Sequence, residues 1–166
     1  DIRDFKKIEA LVRKNKPEII FHLAAQPLIY ESYVKPHLTF DVNIRGTLNV
    51  LEITKKFKFI KSSIFVTSDK CYENSNSTKG FLETDRLGGK DPYSASKASA
   101  ELLVRSYRDS FFKNKKKCGI SSGRAGNVIG GGDWSEKRLI PDSIRSIMKN
   151  KVILIRNPNF NRPWQF

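Results

Sequence analysis

Ser63-Ile64-Phe65-Val66-Thr67, a polar stretch over 68–91, and then Pro92-Tyr93-Ser94-Ala95-Ser96-Lys97 follow one another in this chain, and their order decides the fold. The first run is short, apolar and β-branched, which predicts a buried strand. Asp91 suits a helix N-cap and Pro92 the first helical position, and Ala100, Leu103, Val104, Tyr107 and Phe111 continue one helical face to about Phe112. A loop as long as 68–91, with Gly80, Gly88 and Gly89 in it, usually carries function when it lies inside a compact domain.

The same alternation extends outward from this unit. Phe5, Ile8, Leu11 and Val12 predict a helix over 5–14 that Pro17 stops before a strand at Ile19-Ile20-Phe21-His22-Leu23. Phe40, Ile44, Leu48 and Leu51 predict one long helix over 36–56, with Lys55 and Lys56 in its last turn, where positive charge is favoured. Downstream, Cys118-Gly119-Ile120-Ser121-Ser122 reads as a weaker strand, and Gly126, Gly130, Gly131 and Gly132 as a flexible turn region. A helix over 141–148 and a last strand at Val152-Ile153-Leu154-Ile155 complete the pattern. No repeat and no interdomain linker interrupt it. Strands joined by helices predict a doubly wound, Rossmann-like parallel sheet covered on both faces.

The chain has 166 residues, with 31 Lys and Arg against 17 Asp and Glu, a formal charge of +14. That length fits one domain, and at 39% hydrophobic and 11% aromatic the chain is too apolar to be disordered. Two cysteines, Cys71 and Cys118, and two histidines exclude a disulfide scaffold and predict reduced thiols and no metal. No run is long and apolar enough to span a bilayer, and no signal peptide is visible. Asp1 rather than Met stands first, so the leader exclusion is conditional and the chain reads as a piece of a longer one. The basic balance would favour nucleic acid, with its best local feature at 113–117. Its charges are scattered, however, no aromatic residues interleave with them, and an ordinary Lys- and Asn-rich surface explains them.

The chemistry centres on Tyr93 and Lys97, four residues apart on the first turns of one helix and separated by about 6 Å of rise. A tyrosine of pKa about 10 is a poor base near neutrality. An adjacent ammonium favours the phenolate, which can take a proton from an alcohol as hydride leaves its carbon. Such a pair is common by chance. The strand ending at Thr67 delivers Ser68, Asp69 and Lys70 to the edge where ligands sit in doubly wound sheets. Ser68 could bond a substrate hydroxyl, Asp69 exchange a proton, and Lys70 stabilise negative charge or act as a base; a polar loop with a helix cap and a solvated lysine is the plain alternative.

Five blocks occur in order: His22-Leu23-Ala24-Ala25-Gln26, Asn43-Ile44-Arg45-Gly46-Thr47, Thr67-Ser68-Asp69-Lys70-Cys71-Tyr72, Tyr93-Ser94-Ala95-Ser96-Lys97 and Arg124-Ala125-Gly126-Asn127-Val128. Together they resemble the extended short-chain dehydrogenase/reductase superfamily. Ser68-Asp69-Lys70-Cys71-Tyr72-Glu73-Asn74, Leu87-Gly88-Gly89-Lys90-Asp91-Pro92-Tyr93, Gly130-Gly131-Gly132-Asp133-Trp134 and Arg138-Leu139-Ile140-Pro141-Asp142 are similar to its CDP-glucose 4,6-dehydratase branch in particular.

The resemblance implies a hydro-lyase with tightly bound NAD that loses water from CDP-glucose by internal hydride transfer from C4 to C6, in deoxysugar and surface polysaccharide (lipopolysaccharide) biosynthesis. It assigns Tyr93 to the 4-hydroxyl proton, Lys97 to the tyrosine pKa and the nicotinamide ribose, Ser68 to the hydroxyl, and Asp69 to protonation of the leaving C6 oxygen. Lys70 stands where dTDP-glucose dehydratases have a Glu credited with C5 deprotonation, which supports the CDP-glucose branch and leaves the base open. For the cofactor it carries over Asp1 and Ile2 at the adenine, Ala24, Ala25 and Gln26 along the dinucleotide, and Thr67 beneath the nicotinamide. For the substrate it carries over Asn127 at the sugar nucleotide, Leu139, Ile140 and Pro141 beside the nucleotide, and Arg162 at the pyrophosphate.

It further implies a cytoplasmic homodimer built from helices around 40–53 and 100–111, with the start of a substrate-binding part from about residue 134. In that setting the Asn76-Ser77-Thr78 glycosylation signal is accidental. The superfamily's Gly-rich phosphate turn is not in this sequence, so its first strands are expected to lie outside this piece, and NAD affinity of the piece alone to be poor. Two alternatives stand beside this reading: another sugar-nucleotide epimerase or dehydratase, and a noncatalytic interaction module.

Overall fold

The computed structural model describes residues 1–73, 79–113 and 118–166. The Asn76-Ser77-Thr78 signal and most of the basic run over 113–117 lie outside the described residues. Two compact units form, Asp1–Arg124 and Ala125–Phe166.

In the first unit, β1 (Ile19–His22), β2 (Ser62–Val66) and β3 (Gly119–Gly123) make one parallel sheet in that order. Phe21 lies opposite Ile64, and Ile64 opposite Ser121. Helices α1 (Phe5–Asn15), α4 (Gly46–Lys56) and α5 (Pro92–Tyr107) supply the apolar cover. Val50, Leu51, Phe65, Val104, Phe112 and Ile120 form one buried cluster, and Val12, Ile53, Phe57 and Ile60 a second. Ile20 packs against both.

Side chains alternate across a strand, so placing Ile20 on that face sends Ile19 and Phe21 to the other. They are 54% and 62% exposed. The parallel α/β arrangement is as the sequence predicts, and among the described residues the β1 face that carries Ile19 and Phe21 is the exposed one.

Local chemistry explains the ends of these helices. Asp4 caps α1, accepting from the Lys7 N–H at 3.1 Å, and Lys16 closes it in the left-handed region at φ 46°. Asp91 caps α5 twice over, taking the Ser94 N–H at 2.9 Å and the Ser94 hydroxyl at 2.6 Å, with Pro92 at the first position. Gly89 is required beside this cap, since a Cβ there would lie 2.4 Å from the Ala95 nitrogen.

Several expectations change. The helix over 36–56 is α3 (Pro36–Phe40), a π-helical turn (Asp41–Arg45) and α4, so one residue is accommodated by a wider turn in mid-helix. A similar π turn, Arg108–Phe112, ends the helix begun by α5. An additional helix, α2 (Ile29–Val34), follows β1, and a short 3₁₀ turn (Asp69–Cys71) follows β2. The long loop closes on itself, with Tyr72 bridged to Leu87 and the Gly88 N–H on the Cys71 carbonyl at 2.9 Å.

The second unit holds β4 (Asn127–Val128), α6 (Leu139–Met148) and β5 (Trp164–Gln165), with β4 and β5 paired in parallel. Val152-Ile153-Leu154-Ile155 is not a strand. Val152 and Leu154 are 90% and 81% exposed, and among the described residues this run pairs with no strand, without which an extended run makes no sheet.

Candidate active site

Helix α5 lies against the 3₁₀ turn that follows β2. Tyr93, Lys97 and Glu101 occupy successive turns of one α5 face, and all three are buried. The Lys97 ammonium donates to the Val66 carbonyl at 3.3 Å. Burial pushes its pKa down to about 8. A cation costs free energy out of water, so this lysine sits poised to lose or share its proton.

Ser68, itself buried, caps the 3₁₀ turn. Its hydroxyl donates to Asp69 Oδ1 at 3.1 Å and accepts from the Lys70 N–H at 3.3 Å. Lys70 Nζ meets the same Asp69 oxygen at 3.3 Å. The Ser68 hydroxyl and the Lys70 ammonium thus share one carboxylate oxygen at the end of β2.

A second polar cluster holds the end of β1. Asn43, 2% exposed, takes the Gln26 N–H on Oδ1 at 2.8 Å and donates from Nδ2 to the Gln26 carbonyl at 3.1 Å and to Ser96 Oγ at 2.8 Å. The π turn carries Asn43. One side chain therefore joins the segment after β1, the mid-helix turn and α5. The Gln26 amide is itself engaged, its Nε2 donating to Thr39 Oγ1 at 2.7 Å and its Oε1 accepting from the Leu28 N–H at 2.6 Å. Ala24 is exposed and Ala25 half-buried just past β1.

His22 lies beneath this cluster, its Nε2 3.2 Å from Thr47 Oγ1. The Thr47 proton already goes to the Asn43 carbonyl at 2.7 Å, so Nε2 is the donor and the ring is the neutral Nε2–H tautomer. Burial first, and the Lys97 charge second, push its pKa down to about 4. Between that value and the ordinary 6.5 the unfolded chain binds the extra proton. Stability from this group is therefore full above pH 6.5 and is lost as pH falls towards 4. We expect a loss of about 3 kcal/mol across that window, seen in urea unfolding as a steeper acid decline than in His22→Gln; equal slopes would remove His22 as the cause.

The remaining residues singled out in the sequence are placed as follows. Asp1 pairs with Arg3 at 2.5 Å, and Arg3 reaches Asp41 at 3.3 Å. The Ile2 carbonyl accepts from Asn49 at 3.0 Å, and its side chain abuts Gly46. Thr67 Oγ1 donates to Glu101. In the second unit the Asn127 N–H bonds the Pro163 carbonyl at 3.0 Å, next in sequence to Arg162. Leu139, Ile140 and Pro141 open α6, only Pro141 being buried. Arg162 is exposed and stacks over Phe160 at 5.5 Å.

Sequence reasoning gave no role to Asn43, Glu101 or Arg124. Glu101 had a signal: it continues the spacing of Tyr93 and Lys97 as a charged residue on an otherwise apolar face with Ala100 and Val104. Among the described residues no group of His, Cys, Asp and Glu could hold a metal ion, and no helix is long and apolar enough to cross a membrane.

Fold and site together define a Rossmann-like α/β protein with a buried Tyr-Lys pair at the carboxyl end of its middle strand. The chain belongs to the GDP-mannose 4,6 dehydratase family, which matches residues 1–166. It is 48% identical to the CDP-glucose 4,6-dehydratase of Salmonella typhimurium over 99% of this chain and 47% of that protein. It is 34% identical to the dTDP-D-glucose 4,6-dehydratase of Dictyostelium discoideum over 97% of this chain and 38% of that one.

The chain thus spans less than half the length of these curated relatives. The crystal structure of dTDP-glucose 4,6-dehydratase from Bacillus anthracis in complex with NAD matches with a TM-score of 0.79 at 25% identity, covering 99% of this chain and 48% of that one. UDP-glucose 4-epimerase from Thermotoga maritima shares the fold, with a TM-score of 0.82 at 23% identity over 99% of this chain and 52% of that one.

Proposed function

We propose that this region is part of an NAD-dependent CDP-glucose 4,6-dehydratase, a hydro-lyase forming CDP-4-keto-6-deoxyglucose for deoxysugar biosynthesis. The observation that carries the reading is the buried Lys97 ammonium, 3.3 Å from the Val66 carbonyl at the strand end and one turn from Tyr93. The 48% identity to a CDP-glucose enzyme supports the substrate.

The residues present fit NAD. An ammonium has three donors, so the bond to Val66 leaves Lys97 capacity for ribose hydroxyls, and Ala24 and Ala25 bring no bulk to the end of β1. Thr67, Gln26, Asp1 and Ile2 complete the cofactor side of this reading, Gln26 by holding backbone. Bound there, NAD supplies the hydride acceptor that is restored within each cycle.

Tyr93 takes the 4-hydroxyl proton, helped by Lys97, whose charge favours the phenolate, while Ser68 orients that hydroxyl. Oxidation at C4 acidifies the C5 hydrogen, and Asp69 and Lys70 serve elimination across C5 and C6 as a pair. Asp69 is placed to protonate the leaving C6 oxygen, and Lys70, 3.3 Å from that carboxylate, to stabilise negative charge beside it.

In the second unit, Asn127, Leu139, Ile140, Pro141 and Arg162 begin the substrate-binding part. In this reading the substrate-binding part starts at about residue 134, inside the compact unit Ala125–Phe166. Arg162 suits a pyrophosphate because its fork pairs two oxygens. The reading includes a cytoplasmic homodimer through helices that include α4 and α5.

The test is incubation of the complete protein with CDP-glucose and NAD, following the alkali-developed absorbance of a 4-keto-6-deoxy sugar, with sedimentation of the same sample for the dimer. Product formation is expected. Turnover of a different nucleotide sugar would keep the chemistry and reject CDP-glucose, and no turnover of any would favour an interaction module.

A further inference from the structure

Glu101 is 4% exposed and is ringed by donors. Thr67 Oγ1 donates to its Oε1, and Ser122 Oγ and Arg124 Nη2 each reach Oε2 at 2.9 Å. Burial raises the carboxyl pKa, but the bonds from Arg124, Thr67 and Ser122 outweigh it and hold the group below its ordinary range. The other arm of Arg124 donates to the Tyr72 hydroxyl at 2.8 Å and to the Glu83 carbonyl at 3.0 Å. Its guanidinium lies 4.8 Å over the Tyr72 ring, which stacks on Phe81 at 4.6 Å. One ion pair therefore ties four segments: α5, the end of β2, β3, and the loop that leaves the Ser68-Asp69-Lys70 turn.

This arrangement exceeds what packing needs. Replacing a buried ion pair by apolar residues of similar size is often neutral or stabilising, so its presence calls for another reason. Thr67 immediately precedes Ser68, and Tyr72 follows the 3₁₀ turn. The clamp therefore grips both ends of the segment that carries Ser68, Asp69 and Lys70. Glu101 is one turn beyond Lys97 and two beyond Tyr93 on the same rigid helix.

We propose that Glu101 and Arg124 are positioning residues, holding the segment over 67–72 in register with Tyr93 and Lys97 so that the hydroxyl-orienting and proton-transferring groups meet one substrate. This rests on the reading of those groups as the reacting ones. Misplacement by about 1 Å costs on the order of a hundredfold in rate when reacting groups must be aligned.

The experiment uses the complete protein with Glu101→Gln, Arg124→Met, both together, and Glu101→Asp. Steady-state kinetics on CDP-glucose are read beside hydrogen exchange of the backbone amides. For Glu101→Gln we expect kcat to fall roughly 10- to 100-fold with KM nearly unchanged. Amides over 67–72 should exchange at least about tenfold faster while those of β1 do not change. The double variant should be no worse than the poorer single one, and Glu101→Asp, which keeps the charge, should recover part of kcat.

A wild-type kcat in Glu101→Gln, or exchange rising equally through the whole sheet, overturns the proposal. If Glu101→Gln does not fold, Ser122→Ala removes one donor from the same carboxylate and leaves the ion pair. A selective rise over 67–72 then supports the clamp, and none overturns it. Wild-type protein that turns over no nucleotide sugar sinks the proposed reaction instead, and the exchange pattern alone then decides whether Glu101 orders this segment.

Discussion

Tyr93→Phe in the complete protein is expected to lower turnover of CDP-glucose by about 10²- to 10⁴-fold, the range lost when a positioned acid or base is removed. The substitution deletes one oxygen from a residue that is 8% exposed at the start of α5, and leaves the Asp91 cap and the Lys97 contact to Val66 in place. The fold should survive, as circular dichroism can establish. The proposed function puts the phenol in the chemical step, so kcat should carry the loss and KM should change little. Turnover within a few-fold of wild type would mean that another group takes the 4-hydroxyl proton. Lys97, with its pKa near 8, would be the first to examine.

The second large effect is on stability. Asn43→Ala leaves the Gln26 N–H and carbonyl and the Ser96 hydroxyl without the partner that now joins them. Ser96 keeps its bond to the Tyr93 carbonyl at 2.7 Å, so the two Gln26 groups bear most of the penalty. Burying such groups unpaired costs about 1–3 kcal/mol each, and we expect a total loss of about 3 kcal/mol in urea unfolding. Asn43→Asp separates the contributions, since it keeps the acceptor for the Gln26 N–H and removes the Nδ2 donor. A loss below about 0.5 kcal/mol in the alanine variant would show that water replaces the side chain. The same lesion bears on function, because it frees the segment at Ala25 and Gln26 from the helix that carries Tyr93 and Lys97.

These two residues differ in how far the sequence revealed them. Tyr93 and Lys97 could be placed on one helical face because the helix is locally encoded: Asp91 caps it, Pro92 opens it, and the apolar positions from Ala100 onward set its phase. Asn43 stood inside a quoted block and still gave no hint of its work. Its partners lie 17 and 53 positions away in sequence, and it meets them through a π turn that no periodicity announced.

The sequence by itself determined the alternation of strand and helix, the parallel sheet class, the capped start of α5, and the presence of Ser68, Asp69 and Lys70 at a strand end. Each follows from interactions within a few residues or from hydrophobic period, which need no knowledge of partners. Tertiary structure alone decided that Val152-Ile153-Leu154-Ile155 pairs with no strand among the described residues, that His22 is a neutral donor, and that Glu101 and Arg124 join α5, β3 and the segment over 67–72. The reason is common to all three. Burial, tautomer and ion pairing are set by groups distant in the chain, and a buried polar side chain is defined by whichever partner the fold brings to it.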